Sequence, residues 1–361
     1  MKGRLALSIG GLALGLGLAE WLLGGPLRPP VADLRDADWK AELDAMHDAL
    51  HRADPELVYA PRPGASVEMP YGTAAFDAHG LRPIDSPVRP DPGARAVAVL
   101  GDSLVWGELL GPHETLPAAL QGALGADHRV LNAGVTGFDT TQEAAWYRRA
   151  VRPLQPDVVV LVVCLNDLLI RSGPFHQHAT GLQRDAHAAQ QAWLDGRAPV
   201  RNETVSTQWL RERRGGGSQV LAAARHVWRW HRLYTLPGGY TDDYLLSLER
   251  PERVRDMRAA LDSLGADLRA DGAAAALVVS PGLYGWHRYP WGPLHAVVGE
   301  AGRAAGFTVL DPIADWRDLD PEPFRFAGDN LHYTASGAEL LATWLAPRVR
   351  ALDATSAGDG R

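Results

Sequence analysis

Four short segments of this sequence hold side chains and backbone groups with chemistry to offer. One is Gly101-Asp102-Ser103-Leu104, with a serine in a turn. Another is Asp329-Asn330-Leu331-His332, with a carboxylate three residues before an imidazole. A serine hydroxyl becomes a useful nucleophile when a base removes its proton. Histidine is the usual base, and a carboxylate at this spacing can hold its tautomer and orientation. The other two segments are Asn132–Gly137, whose glycines let backbone N–H groups approach a ligand, and Cys164-Leu165-Asn166-Asp167. Each segment alone is weak evidence, because Gly-Asp-Ser and glycine-rich loops are both common turns.

Placement gives the four segments their weight. Apolar, β-rich runs at Arg95–Leu100, Arg129–Asn132, Asp157–Cys164, Ala275–Ser280 and Thr308–Asp311 read as strands. Helical patterns at Glu114–Leu124, Thr140–Val151, 252–271, Pro290–Ala305 and Ser336–Arg350 alternate with them. Continuous apolar runs such as DVVVLVVC suit strands buried on both faces, so the pattern predicts a parallel sheet between two helical layers. In such a sheet, ligands meet the carboxyl ends of the strands. Ser103, the Asn132–Gly137 loop and Asn166 each follow a strand, and His332 precedes the last helix, with Thr334 or Ser336 as its cap. Residues 26–93 are rich in proline and glycine and read as a tether plus an irregular layer with one helix, Asp38–Arg52. Residues from about 171 to 250 carry no strand signal and are too long for a routine connection, so they read as a mostly helical insert.

Several neighbouring residues have blander readings. Asp102 reads as a turn-stabilising carboxylate and Asn132 as a turn-fixing amide. His176 and His178 lack a third metal ligand. Trp286, His287 and Trp291 follow the fourth strand and suit substrate contact or packing equally. The tripeptide Asn202-Glu203-Thr204 is a glycosylation sequon of a kind common by chance.

The four segments, in this order, resemble the GDSL or SGNH hydrolase family across about residues 94–350. The resemblance implies a three-layer, flavodoxin-like α/β fold with a five-stranded parallel sheet. It makes Ser103 the nucleophile and Asp329 and His332 its partners. It assigns the oxyanion hole to the N–H groups of Ser103 and Gly137 and to the Asn166 amide. Gly137, rather than Gly134, matches the family's second block. The chemistry implied is ester hydrolysis through an acyl-enzyme, with no metal or organic cofactor. One departure stands out: Cys164 occupies a position where the family often has glycine. It reads as a small buried hydrophobe, because an apolar strand end disfavours the thiolate that a cysteine nucleophile would need.

Composition limits the alternatives. The chain has 361 residues, 46% hydrophobic and 22% charged, with a net charge of -7, so nothing favours nucleic acid as a partner. A single cysteine excludes an intrachain disulfide. Lys2 and Arg4 precede a glycine-rich apolar run, Leu5–Gly25, that predicts a single membrane anchor with the rest exported; cleavage as a signal peptide after Ala19 is the alternative. The expected role is a cell-envelope carboxylester hydrolase acting on an ester-bearing small molecule, lipid or glycan. An O-acyltransferase on an envelope polysaccharide would use the same triad. A non-catalytic glycan-binding protein should have lost Ser103, Asn166 or His332, and all are present.

Overall fold

The structure is a computed structural model that describes residues 39–168, 251–326 and 331–358. The N-terminal apolar run, the 171–250 insert with His176, His178 and Asn202, and Asp329 lie outside the described residues.

Five strands form one parallel sheet: β5 (Arg95–Gly101), β6 (His128–Gly134), β7 (Val158–Val163), β8 (Ala274–Val279) and β9 (Thr308–Leu310). Their spatial order is β6-β5-β7-β8-β9. The chain therefore leaves β5 toward one edge to make β6, then crosses back to the other side of β5 for β7. Between β5 and β7 lies the switch point where an α/β sheet opens a crevice at its carboxyl ends. Gly101, the last residue of β5, pairs with Gly134 of β6 on one side and Val162 of β7 on the other.

All six residues of β7 are fully buried, as the unbroken apolar run predicted. Alternate side chains face opposite layers. Val97, Val99, Val158, Val160, Val162 and Val278 join α3 (Leu116–Leu124) and α8 (Ala335–Gly358) in one apolar cluster, through Leu116, Leu120, Leu341 and Leu345 among others. The opposite face is covered by α4 (Thr140–Trp146), α5 (Pro251–Asp271) and α6 (Gly292–Ala304). Each fully buried Val or Leu contributes roughly 1.5–3 kcal/mol relative to exposure. Two further α-helices among the described residues of the sheet region are single turns, α2 (Ser103–Trp106) and α7 (Ile313–Trp316).

The N-terminal layer is more regular than its composition implied. Helix α1 (Trp39–Leu50) runs into an antiparallel hairpin, β1 (His51–Asp54) with β2 (Val58–Pro61). A second hairpin pairs β3 (Ser66–Met69) with β4 (Gly72–Ala75). Four-residue strands are too short to show a period of two in the sequence. Among the described residues, no helix is long and apolar enough to cross a membrane.

Candidate active site

Ser103 opens α2 directly after β5, and Asp102 supplies the cap: its Oδ1 accepts the Leu104 N–H at 2.9 Å. The turn thus lifts the serine above the carboxyl edge of the sheet. His332 arrives from the other end of the chain, and its Nε2 lies 2.9 Å from the Ser103 Oγ. That is hydrogen-bonding distance for base and nucleophile.

The two residues that follow His332 anchor its backbone. The Tyr333 hydroxyl meets the Ser280 Oγ at 2.9 Å beyond the end of β8. Thr334 bonds back to Phe324, and its Oγ1 accepts the Gly337 N–H at 3.3 Å, which caps α8. Of the two expected caps, Thr334 is the one used.

The Asn132–Gly137 loop follows β6. Asn132 has the turn-fixing role its position implied, with its Oδ1 accepting the Gly134 N–H at 3.1 Å. Gly134 and Gly137 serve different ends. A Cβ on Gly134 would sit 2.2 Å from the Trp106 backbone N, so glycine here allows α2 to lie against β6. Gly137 has φ +76° and is the third residue of a turn closed by Phe138 N–H to Val135 O at 3.1 Å. Those values describe a type II turn, which favours glycine at that place.

Asn166 follows β7, across the switch point from Ser103. Its Nδ2 donates to Asp102 Oδ2 at 3.4 Å, and its Oδ1 is buried with no partner among the described residues. Cys164 is 2% exposed, and burial pushes its thiol pKa well up, which fits the packing role. Trp286 and Trp291 are buried as well, Trp286 against Trp316 and Phe324, so both pack; His287 is exposed.

The electrostatics beneath the serine are acidic. Burial pushes the carboxyls of Asp102, Glu143 and Asp167 up, and mutual repulsion with one another and with Asp139 reinforces this for Glu143 and Asp167. Glu108 behaves differently. It is buried, but His47 Nε2 at 3.2 Å holds its carboxyl below the usual range, against the cost of burial. Its other oxygen accepts the Thr136 hydroxyl at 2.8 Å. Glu108, His47 and Tyr59 escaped the sequence reading because none sits in a motif; their neighbours in space are about 30 to 80 residues away in the chain. Among the described residues, no cluster of His, Cys, Asp and Glu is arranged to hold a metal ion.

The model of the GDSL-like lipase/acylhydrolase family matches residues 99–340. Solved structures with a similar course of chain include TesA, at 15% identity and TM-score 0.42, covering 72% of this chain and 99% of that one. They also include Axe2, an acetylxylan esterase from Geobacillus stearothermophilus, at 15% identity and TM-score 0.39, covering 70% of this chain and 94% of that one. No curated protein sequence matches the chain. The family match spans well over half of the chain and contains Ser103, Asn166 and His332, so this protein belongs to the GDSL-like lipase/acylhydrolase family, the SGNH ester hydrolases.

Proposed function

We propose that the chain is a carboxylester hydrolase of the cell envelope that works through an acyl-enzyme on Ser103. The observation that carries the reading is the 2.9 Å contact between His332 Nε2 and Ser103 Oγ. As the Ser103 oxygen attacks the ester carbonyl carbon, its proton passes to His332. Asp329, three residues earlier, orients the imidazole and stabilises the imidazolium. Negative charge gathers on the former carbonyl oxygen, where the N–H groups of Ser103 and Gly137 and the Asn166 amide receive it. Collapse expels the alcohol, which takes the proton from His332. Water then attacks the acyl-enzyme while His332 accepts its proton; collapse breaks the Ser103 ester bond, the serine oxygen takes that proton back, and the acid leaves.

The substrate in this reading is an ester-bearing small molecule, lipid or glycan, met outside the cytoplasm. The location rests on the sequence from Lys2 to Gly25. Two experiments test the proposal. An ester panel of increasing acyl length should reveal turnover, and Asn166→Ala should lower it roughly 10²–10³-fold with a smaller effect on KM. The acyl-enzyme can also be isolated and offered water alone or a glycan acceptor. Clearance in water supports a hydrolase. Persistence until the acceptor arrives would replace the reading with an O-acyltransferase.

A further inference from the structure

We propose that Tyr59, which lies outside the family-matched residues 99–340, is a positioning residue that sets the direction of the Gly137 N–H in the oxyanion hole. The inference rests on the oxyanion role assigned to Gly137 above. The Tyr59 hydroxyl donates to the Thr136 carbonyl oxygen at 2.5 Å. That carbonyl and the Gly137 N–H belong to one planar trans peptide and point in opposite directions. A donor fixed on the carbonyl side therefore aims the N–H on the other side.

The peptide needs such a restraint. It is the central peptide of the Val135–Phe138 turn, the unit that turns over between the type I and type II forms. Glycine at position 137 tolerates either sign of φ, so its own backbone does little to prevent that flip. A flip would swing the N–H away from the serine and present the carbonyl oxygen, an acceptor facing a developing anion. Tyr59 bonds the carbonyl in the observed form, and Glu108 holds the adjoining Thr136 hydroxyl at 2.8 Å.

Tyr59 is itself held firmly. It is 1% exposed, with its ring edge-on to Phe138 at 5.2 Å and to His51 at 5.3 Å. The residue before it, Val58, has φ +70°, a conformation that is an outlier for a β-branched side chain. Such strain persists where surrounding contacts over-determine it. Those contacts are present: Gln142 Nε2 donates to Leu57 O at 2.6 Å, and Arg149 pairs with Asp54 at 2.5 Å. Both tie the β1–β2 hairpin to α4 and the wide turn that continues it.

The test is Tyr59→Phe, which keeps the ring and removes the donor, measured as turnover per active site titrated with a fluorophosphonate. We expect kcat to fall about 10-fold, part of the loss from deleting a whole oxyanion donor, with KM within about twofold. Affinity for an alkylboronic acid, whose Ser103 adduct places an oxygen in the hole, should fall in parallel with kcat/KM. A purely structural role would lower the number of titratable sites and leave kcat per site and boronate affinity alone; that result overturns the proposal. Asn166→Ala is run beside it. If Asn166→Ala weakens boronate binding and Tyr59→Phe does not, the Tyr59 proposal fails alone. If neither weakens it, the oxyanion-hole assignment fails with it.

Discussion

Glu143 illustrates how a single residue near the site answers to its surroundings. Both of its carboxyl oxygens are buried with no hydrogen-bond partner among the described residues, in the acidic group of Asp102, Asp139 and Asp167. Burial and those neighbours raise its pKa in the folded state, so the folded protein holds a proton there that the unfolded chain releases near pH 4.3. Stability from this site is therefore fully present below about pH 4.3 and is lost as pH rises toward the folded pKa, by up to about 1.4 kcal/mol per unit. Glu143→Gln, a neutral side chain of the same shape, should remove that dependence. Denaturant titrations between pH 5 and 8 should show its advantage over the parent growing to roughly 1–3 kcal/mol. Parallel curves for the two proteins would mean that Glu143 is ionised in the fold. None of this is legible in the sequence, where Glu143 is one polar residue on an amphipathic helix. The proposed nucleophile and base stand out in the sequence because a turn serine after a strand and an Asp-x-x-His before a helix are local patterns.

At the scale of elements, the site depends on how closely α2 approaches β6. Gly134 makes that approach possible, with the Trp106 N and the Val105 carbonyl carbon 2.2 Å and 2.7 Å from where a Cβ would lie. Both are backbone atoms, so α2, and Ser103 at its start, would have to shift. Gly134→Ala should cost about 1–3 kcal/mol of stability and on the order of 10²-fold in turnover through misplacement of the nucleophile. Gly122 in α3 is the control, since a Cβ there meets nothing within 4 Å. Gly122→Ala should instead stabilise by about 0.5–1 kcal/mol, leaving turnover unchanged. Equal effects of the two substitutions in thermal unfolding and steady-state assays would count against the packing argument. The central strand β7 could be read from sequence because a strand buried on both faces must be apolar throughout, and shorter apolar runs marked the other four. The two N-terminal hairpins could not, because β1 and β3 each expose charged or polar positions within four residues. The roles of Gly134 and Gly137 also needed the fold: one serves contact with a helix distant in sequence, the other a turn.

At the scale of the whole molecule, the proposed export and membrane attachment rest on the sequence of residues 1–25. Residues 1–25 should hold the native protein in the membrane fraction, and a chain lacking them should be recovered soluble with unchanged kcat per titrated site. Mass spectrometry finding a mature start at Glu20 would replace the anchor with a cleaved signal. The central claim concerns the chain as a whole: of all its hydroxyl and thiol groups, one is activated, Ser103, and His332 activates it. The most direct measurement is intact-protein and peptide mass spectrometry after brief exposure of the full-length protein to a fluorophosphonate. The account predicts a single adduct, on the peptide containing Ser103. Labelling should be absent in Ser103→Ala and slowed on the order of 10⁴-fold in His332→Ala, because nucleophile and base act as one unit. An adduct on another residue such as Cys164, or labelling of Ser103 at the parent rate without His332, would contradict it.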